Sequence, residues 1–235
     1  MTASVVPAPP GLPVRAASLT VAGVFDGVDL ALAAGELLVV HGAARSGRTT
    51  LLLTLAGRHR ITAGVLEVGG HRLPGAEPTV RRAVVVAQAE PAVGFEGRLT
   101  VGEVIEEARL VSRLRRPEID DALAFFELDP PRALLVDDLE PATRTLLAVA
   151  LAWAQRPAVL VVDDADRGCP PLQRRAVWDA LLRIHAEGCT LLVGAQDRPH
   201  PVVPSRSLLM PRLTDERHRR PLPPPVRVAT EEGPA

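Results

Sequence analysis

The sequence predicts an α/β fold with a mainly parallel sheet, a small antiparallel β part and a helical subdomain. Three observations predict it. Short apolar runs with the β-branched content of buried strands alternate with segments of helical period. One junction, Glu36 to Ala56, reads directly as strand, small-residue loop and helix. Between about residues 100 and 140 the pattern is helical with no strand between.

Taken in order, residues 1–13 form a Pro/Ala arm, predicted to be flexible. Ala17 to Val21, Val28 to Leu32 and Leu37 to Val40 read as strands, with a turn at Ala34-Gly35. The loop and first helix follow, and Gly57 is placed to stop that helix. Val65 to Val68 and His71 to Leu73, parted by Gly69-Gly70, predict a hairpin, and Ala83 to Ala87 another buried strand. Val101 to Leu114 and Glu118 to Leu128 make the helical subdomain, and Ala142 to Gln155 an apolar helix against the sheet. Ala158 to Val162 is a continuous apolar strand closing on Asp163-Asp164. Pro171 to Glu187 carries apolar residues at helical spacing, with Pro171 near its start and Gly188 beyond its end. Thr190 to Val193 is one more buried strand, and residues 211–235 are predicted to be a disordered Pro-rich tail. Residues 14–210 therefore form one domain, a size that buries a single sizeable core.

Composition narrows the function. The 27 basic and 28 acidic residues nearly cancel, which argues against a general polyanion binder and so against nucleic acid. Lys, Asn and Tyr are absent and every basic side chain is Arg, a bias expected of a GC-rich codon supply. Cys169 and Cys189 have no pairing framework and no CxxC, which predicts a reduced, cytoplasmic setting. The first twenty residues lack the basic start and apolar centre of a signal peptide. The longest apolar run, Leu146 to Ala154, is far short of the roughly 18 to 20 residues that span a bilayer, so any membrane role needs a partner. His41, His59 and His71 show no ligand spacing, and Trp153 and Trp178 sit at apolar helical positions expected in the core.

The chemistry concentrates in the loop Gly42-Ala43-Ala44-Arg45-Ser46-Gly47-Arg48-Thr49, followed by Thr50. It matches G-x4-G-K-[ST] at every fixed position but one, where Arg48 replaces lysine. In such a loop, backbone N–H groups and the positive end of the helix dipole converge on one point, which suits a nucleotide's phosphates.

The order and spacing of further segments resemble the ATP-binding cassette of ABC transporters over roughly residues 16–210. Val85-Val86-Ala87-Gln88 resembles the strand leading to the family's Q-loop glutamine, and Leu99 to Glu103 the LTVxE stretch that opens its helical subdomain. Leu160 to Asp164 resembles the Walker B strand, and Thr190 to Asp197 the strand and switch that normally end in Thr-His-Asp. The resemblance implies a P-loop NTPase core that binds ATP and Mg2+, with Thr49 and Asp163 on the metal and Gln88 sensing it. Asp164 and Gln196 would position the attacking water. It also implies a second cassette and a membrane permease as partners, and a place at the inner face of the membrane.

The departures cluster where hydrolysis would occur. Arg48 keeps its charge but has a wider fork than an ammonium, and Arg45 stands where the family has a small residue. Asp164 replaces the catalytic Glu, one methylene shorter, and Gln196 replaces the switch His and cannot carry a proton. Leu139-Glu140-Pro141-Ala142-Thr143 stands in place of LSGGQ, and Pro170 in place of the D-loop Asp. Glu140-Pro141 also suits a plain helix start. Residues 14–24 hold no aromatic ring to stack on adenine. Two expectations follow: a cassette that binds ATP and hydrolyses it weakly, or a degenerate, non-hydrolysing partner in a heterodimer.

Overall fold

The computed structural model describes residues 9–197 and 204–211. The described residues form two sheets. Four strands, β1 (Val14–Val21), β2 (Phe25–Leu32), β4 (Ala63–Val68) and β5 (His71–Leu73), pair antiparallel in the order β2-β1-β4-β5. Five strands, β3 (Leu37–His41), β6 (Val84–Gln88), β7 (Val159–Val162), β8 (Thr190–Ala195) and β9 (Arg206–Leu209), pair in parallel in the order β6-β7-β8-β3-β9. The central parallel strands β7, β8 and β3 read as apolar runs because both faces are covered, whereas β9 at the edge is largely exposed. Along β3 the residues alternate between two cores: Leu37 and Val39 face one, Leu38 and Val40 the other, and all four are buried.

Among the described residues six helices pack against the sheets: α1 (Arg48–Leu55), α2 (Glu77–Ala83), α3 (Val101–Val111), α4 (Arg116–Phe125), α5 (Pro141–Trp153) and α6 (Pro171–Ala186). One core holds α5, α6 and the helical subdomain, with Val101, Ile119, Leu123 and Phe126 packed together with Leu147 and Leu181. The other joins α1 and the antiparallel sheet, with Leu51, Leu52 and Leu55 packed together with Leu19 and Leu66. The predicted helical subdomain is α3, α4 and the 3-10 turn Val136–Asp138. Its first helix starts on a capping box: Thr100 Oγ1 accepts from Glu103 N at 3.3 Å, while Thr100 N donates to Glu103 Oε2 at 2.8 Å.

The structure departs from the sequence-based expectations in several places. The arm at 1–13 is not free at its inner end: Gly11 is buried and donates to Gly188 O at 3.0 Å, and Leu12 O accepts from Thr190 Oγ1 at 2.8 Å. Residues 1–8 and the tail beyond 211 lie outside the described residues. Helix α2 and strand β9 are additions, and α4 starts at Arg116 rather than Glu118. Trp178 is buried as expected, whereas Trp153 is half-buried against Phe125, with ring centroids 5.9 Å apart.

Candidate functional site

The loop after β3 and the ends of β6, β7 and β8 meet at one edge of the parallel sheet. The chain turns sharply at Gly42 (φ 149°), where an added Cβ would lie 2.3 Å from Met210 O. It enters α1 through Gly47 (φ 88°), which lies so close to Val24 that a Cβ would approach its Cγ1 to 2.8 Å. A side chain at Gly42 would run into backbone, and one at Gly47 would be strained in φ and press on Val24. The last turn of α1 closes with Gly57 N donating to Thr54 O at 2.9 Å and Arg58 N to Leu53 O at 2.8 Å. This anchors the short helix whose first turn faces the loop.

Thr49 and Asp163 come together: Thr49 Oγ1 donates to Asp163 Oδ2. The second oxygen of Asp163 accepts from Asp164 N at 2.9 Å. Asp163 is 3% exposed, and burial pushes its carboxyl above the ordinary carboxylate range, against the pull of the Thr49 hydrogen bond. Gln88 is tied to the same strand end from the neighbouring strand, donating through Nε2 to Asp163 O at 2.8 Å and accepting at its own carbonyl from Asp163 N at 2.9 Å. The buried Gly194 on β8 makes the room for this carboxylate, since a Cβ there would meet Asp163 Oδ1 at 2.1 Å.

Arg48 is buried and turned inward. Its Nη1 donates to Gly42 O and, at 3.2 Å, to Ala43 O; its Nη2 donates to Asp164 Oδ1 at 2.6 Å. Ser46 Oγ and Arg48 Nε are buried without a hydrogen-bond partner. Two unmet polar atoms inside a loop of this shape fit a ligand that brings acceptor oxygens. An alcohol oxygen and a carboxylate in contact are a hard-oxygen donor pair that suits Mg2+ held with a substrate's phosphates. Among the described residues no group of three His, Cys, Asp or Glu could hold a metal unaided.

Other expected site residues stand further out. Ala43, Ala44 and Arg45 are exposed on the loop, and Arg45 has φ 63°. Thr50 lies within α1, where its carbonyl accepts from Thr54 Oγ1 at 2.7 Å. Gln196 is exposed just past β8, and its carbonyl accepts from Gly42 N at 3.2 Å. Glu140 is exposed and precedes α5, with Pro141 as the first helical residue, as in a plain helix start. Gln173 on α6 binds Glu140 Oε2 through its Nε2 at 3.1 Å. Phe25, the one ring in the first two strands, is buried in the core.

The sequence model of the family described as ABC transporter matches residues 25–167, more than half of the chain. The chain belongs to the ABC transporter family. A Halobacterium salinarum protein, named as an ABC transporter ATP-binding protein, is 35% identical over 73% of this chain and 75% of its own length. Daunorubicin resistance ATP-binding protein DrrA3 of Streptomyces coeruleorubidus is 30% identical over 73% of this chain, which spans 55% of that protein. Among solved structures, an ABC transporter ATP-binding protein from Pyrococcus furiosus superposes with a TM-score of 0.68 at 17% identity, covering 85% of this chain and 96% of its own. CbiO1 of Clostridium perfringens gives 0.66 at 17% identity, covering 78% of each chain. At that identity the superpositions establish the P-loop NTPase fold. Two features that matter to an ABC cassette here escaped sequence reasoning: the space at Gly194, and the inward turn of Arg48. Gly194 interrupts an apolar strand, which is a signal of close approach; nothing local foretells the second.

Proposed function

We propose that this chain is the ATP-binding subunit of an ABC-type transporter, that it seats Mg-ATP on residues 42–49, and that it hydrolyses ATP weakly. One observation carries the proposal: the Thr49 hydroxyl and Asp163 carboxylate meet beside a loop that buries two unmet polar atoms. The backbone of Gly42 to Thr49 and the start of α1 would receive the phosphates. Thr49 and Asp163 would hold the metal, and Gln88, bonded to the backbone of Asp163, would report its presence to the neighbouring loop. Bound Mg2+ supplies charge neutralisation for the phosphates. Asp164 and Gln196 are the groups available to position water.

The helical subdomain offers the surface for a permease. Leu110 and Val111 at the end of α3 are 61% and 76% exposed, beside a cleft lined by Glu106, Arg109, Arg116, Asp120 and Arg132. Among the described residues no helix is long and apolar enough to cross a membrane, so the subunit would reach the inner membrane face through that permease. A second cassette is the remaining partner.

The ion pair between Arg48 and Asp164 favours a second reading, a degenerate cassette that pairs with an active one and does not turn over. Calorimetric titration with ATP, with and without Mg2+, followed by steady-state phosphate release, separates the two. The first reading expects Mg-dependent binding and slow turnover that Thr49→Ala abolishes. Binding without any phosphate release leaves the second. No heat at millimolar ATP removes both.

A further inference from the structure

Arg48 at the start of α1 and Asp164 past the end of β7 are paired with each other. Arg48, with a side chain 9% exposed, gives one terminal nitrogen to Asp164 at 2.6 Å and the other to the loop's own carbonyls. One residue along, Thr49 is bonded to Asp163. Adjacent residues at the start of α1 therefore clasp adjacent residues at the end of β7. The two departures from the usual pattern compensate: arginine reaches farther than lysine, aspartate less far than glutamate, and the contact closes. Asp164 is held in the left-handed region (φ 44°), which Asp tolerates better than most residues. Yet Arg48 Nε and Ser46 Oγ find no partner. This guanidinium is committed on two sides and unmet on the third, whereas acceptor oxygens placed inside the loop would meet all three.

We propose that the Arg48–Asp164 pair is a latch that holds the phosphate loop closed, so that Asp164 sets nucleotide affinity by competing with phosphate for Arg48. The proposal rests on the nucleotide reading above. Phosphate oxygens and the Asp164 carboxylate seek the same planar fork, which cannot serve both at full strength. Nucleotide must therefore displace Asp164 Oδ1 from Arg48, which frees that oxygen beside the phosphates, while Oδ2 faces Arg167 Nη1 at 3.9 Å.

The test is a thermodynamic cycle on the full chain, read as Mg-ATP affinity by calorimetry in wild type, Asp164→Asn, Arg48→Lys and the double variant. Asp164→Asn is expected to bind about tenfold tighter while melting at a lower temperature without ligand; a merely structural role would weaken both. Arg48→Lys, about an ångström shorter in reach, opens the latch by itself, so Asp164→Asn adds less than about twofold in that background. Simple repulsion between Asp164 and the phosphates would instead leave the gain intact, which overturns the latch. An Asp164→Asn affinity equal to or below that of a binding wild type also overturns it, while the nucleotide reading stands. Silence from all four proteins at millimolar Mg-ATP removes both.

Discussion

Asp163 carries its charge in a place that resists it. The carboxyl is buried at the end of β7, and its pKa is raised chiefly by loss of water. For an acid raised on folding, the native state keeps a proton that the unfolded chain has already lost. Stability is therefore fullest on the acid side and declines as pH rises from the ordinary carboxylate value through the raised one. At neutral pH the ligand-free protein bears that cost. Asp163→Asn keeps the shape, and the Thr49 hydroxyl can reverse its role toward the amide. The variant should melt above wild type at neutral pH, with the gap shrinking toward pH 4, and should lose the Mg2+ dependence of nucleotide binding. Melts of both proteins across that range, with titrations beside them, check it; a variant less stable at every pH would refute the account. Gly194 supplies the converse. Gly194→Ala would drive a methyl into Asp163 and Leu52, and should cost about 1–3 kcal/mol, measured by urea denaturation. The position of Asp163 was legible in the sequence because a buried strand ends on it. Gly194 was legible only as a break in an apolar strand; what it makes room for was not, since Asp163 comes from a neighbouring strand brought alongside by the fold.

Elements were legible in proportion to their punctuation. Helix α6, opened by Pro171 and followed by Gly188, was read within a residue or two, and the loop-to-α1 transition was set by Gly42 and Gly47. Helix α2 was not, because its seven residues bury only Val80 and so carry no period. Strand β9 buries no residue along Arg206–Leu209, and its conformation comes from pairing with β3 rather than from its own side chains. Helix α3 was predicted to run to Leu114 but stops at Val111, with Arg113 at φ 56°. There Arg113 N donates to Leu110 O at 3.4 Å and Leu114 N to Arg109 O at 2.9 Å, the bonding of a left-handed helix stop without its usual glycine. Arg113 is exposed. Arg113→Gly should relieve about 1–2 kcal/mol of left-handed strain, less the extra freedom of the unfolded chain. The net gain is on the order of 0.5–1 kcal/mol, visible as a higher urea midpoint at unchanged slope.

At the scale of the whole molecule, the far end of the described chain braces the phosphate loop. Strand β9 closes the sheet beside β3, and Ser205 Oγ accepts from Leu37 N at 3.0 Å just before it. Met210 N donates to His41 O at 2.7 Å just after it, and the buried Met210 belongs to the same core as Leu38 and Leu51. Its carbonyl lies against Gly42, so the turn into the loop is shaped by a residue 168 positions away. A chain ending after Pro204 would expose the edge of β3, lose Met210 from the core and leave the Gly42 turn unsupported. Compared with a chain ending after Pro211, it should lose about 2–3 kcal/mol for the buried methionine, which for a domain of this size lowers the melting temperature by on the order of 5–10 °C. The two truncations should also differ in nucleotide affinity, the shorter binding more weakly, because the loop's shape depends on that backbone contact. Scanning fluorimetry and calorimetry on the pair test both effects. If the shorter chain melted lower but bound nucleotide equally well, Met210 would be a core residue with no part in shaping the loop.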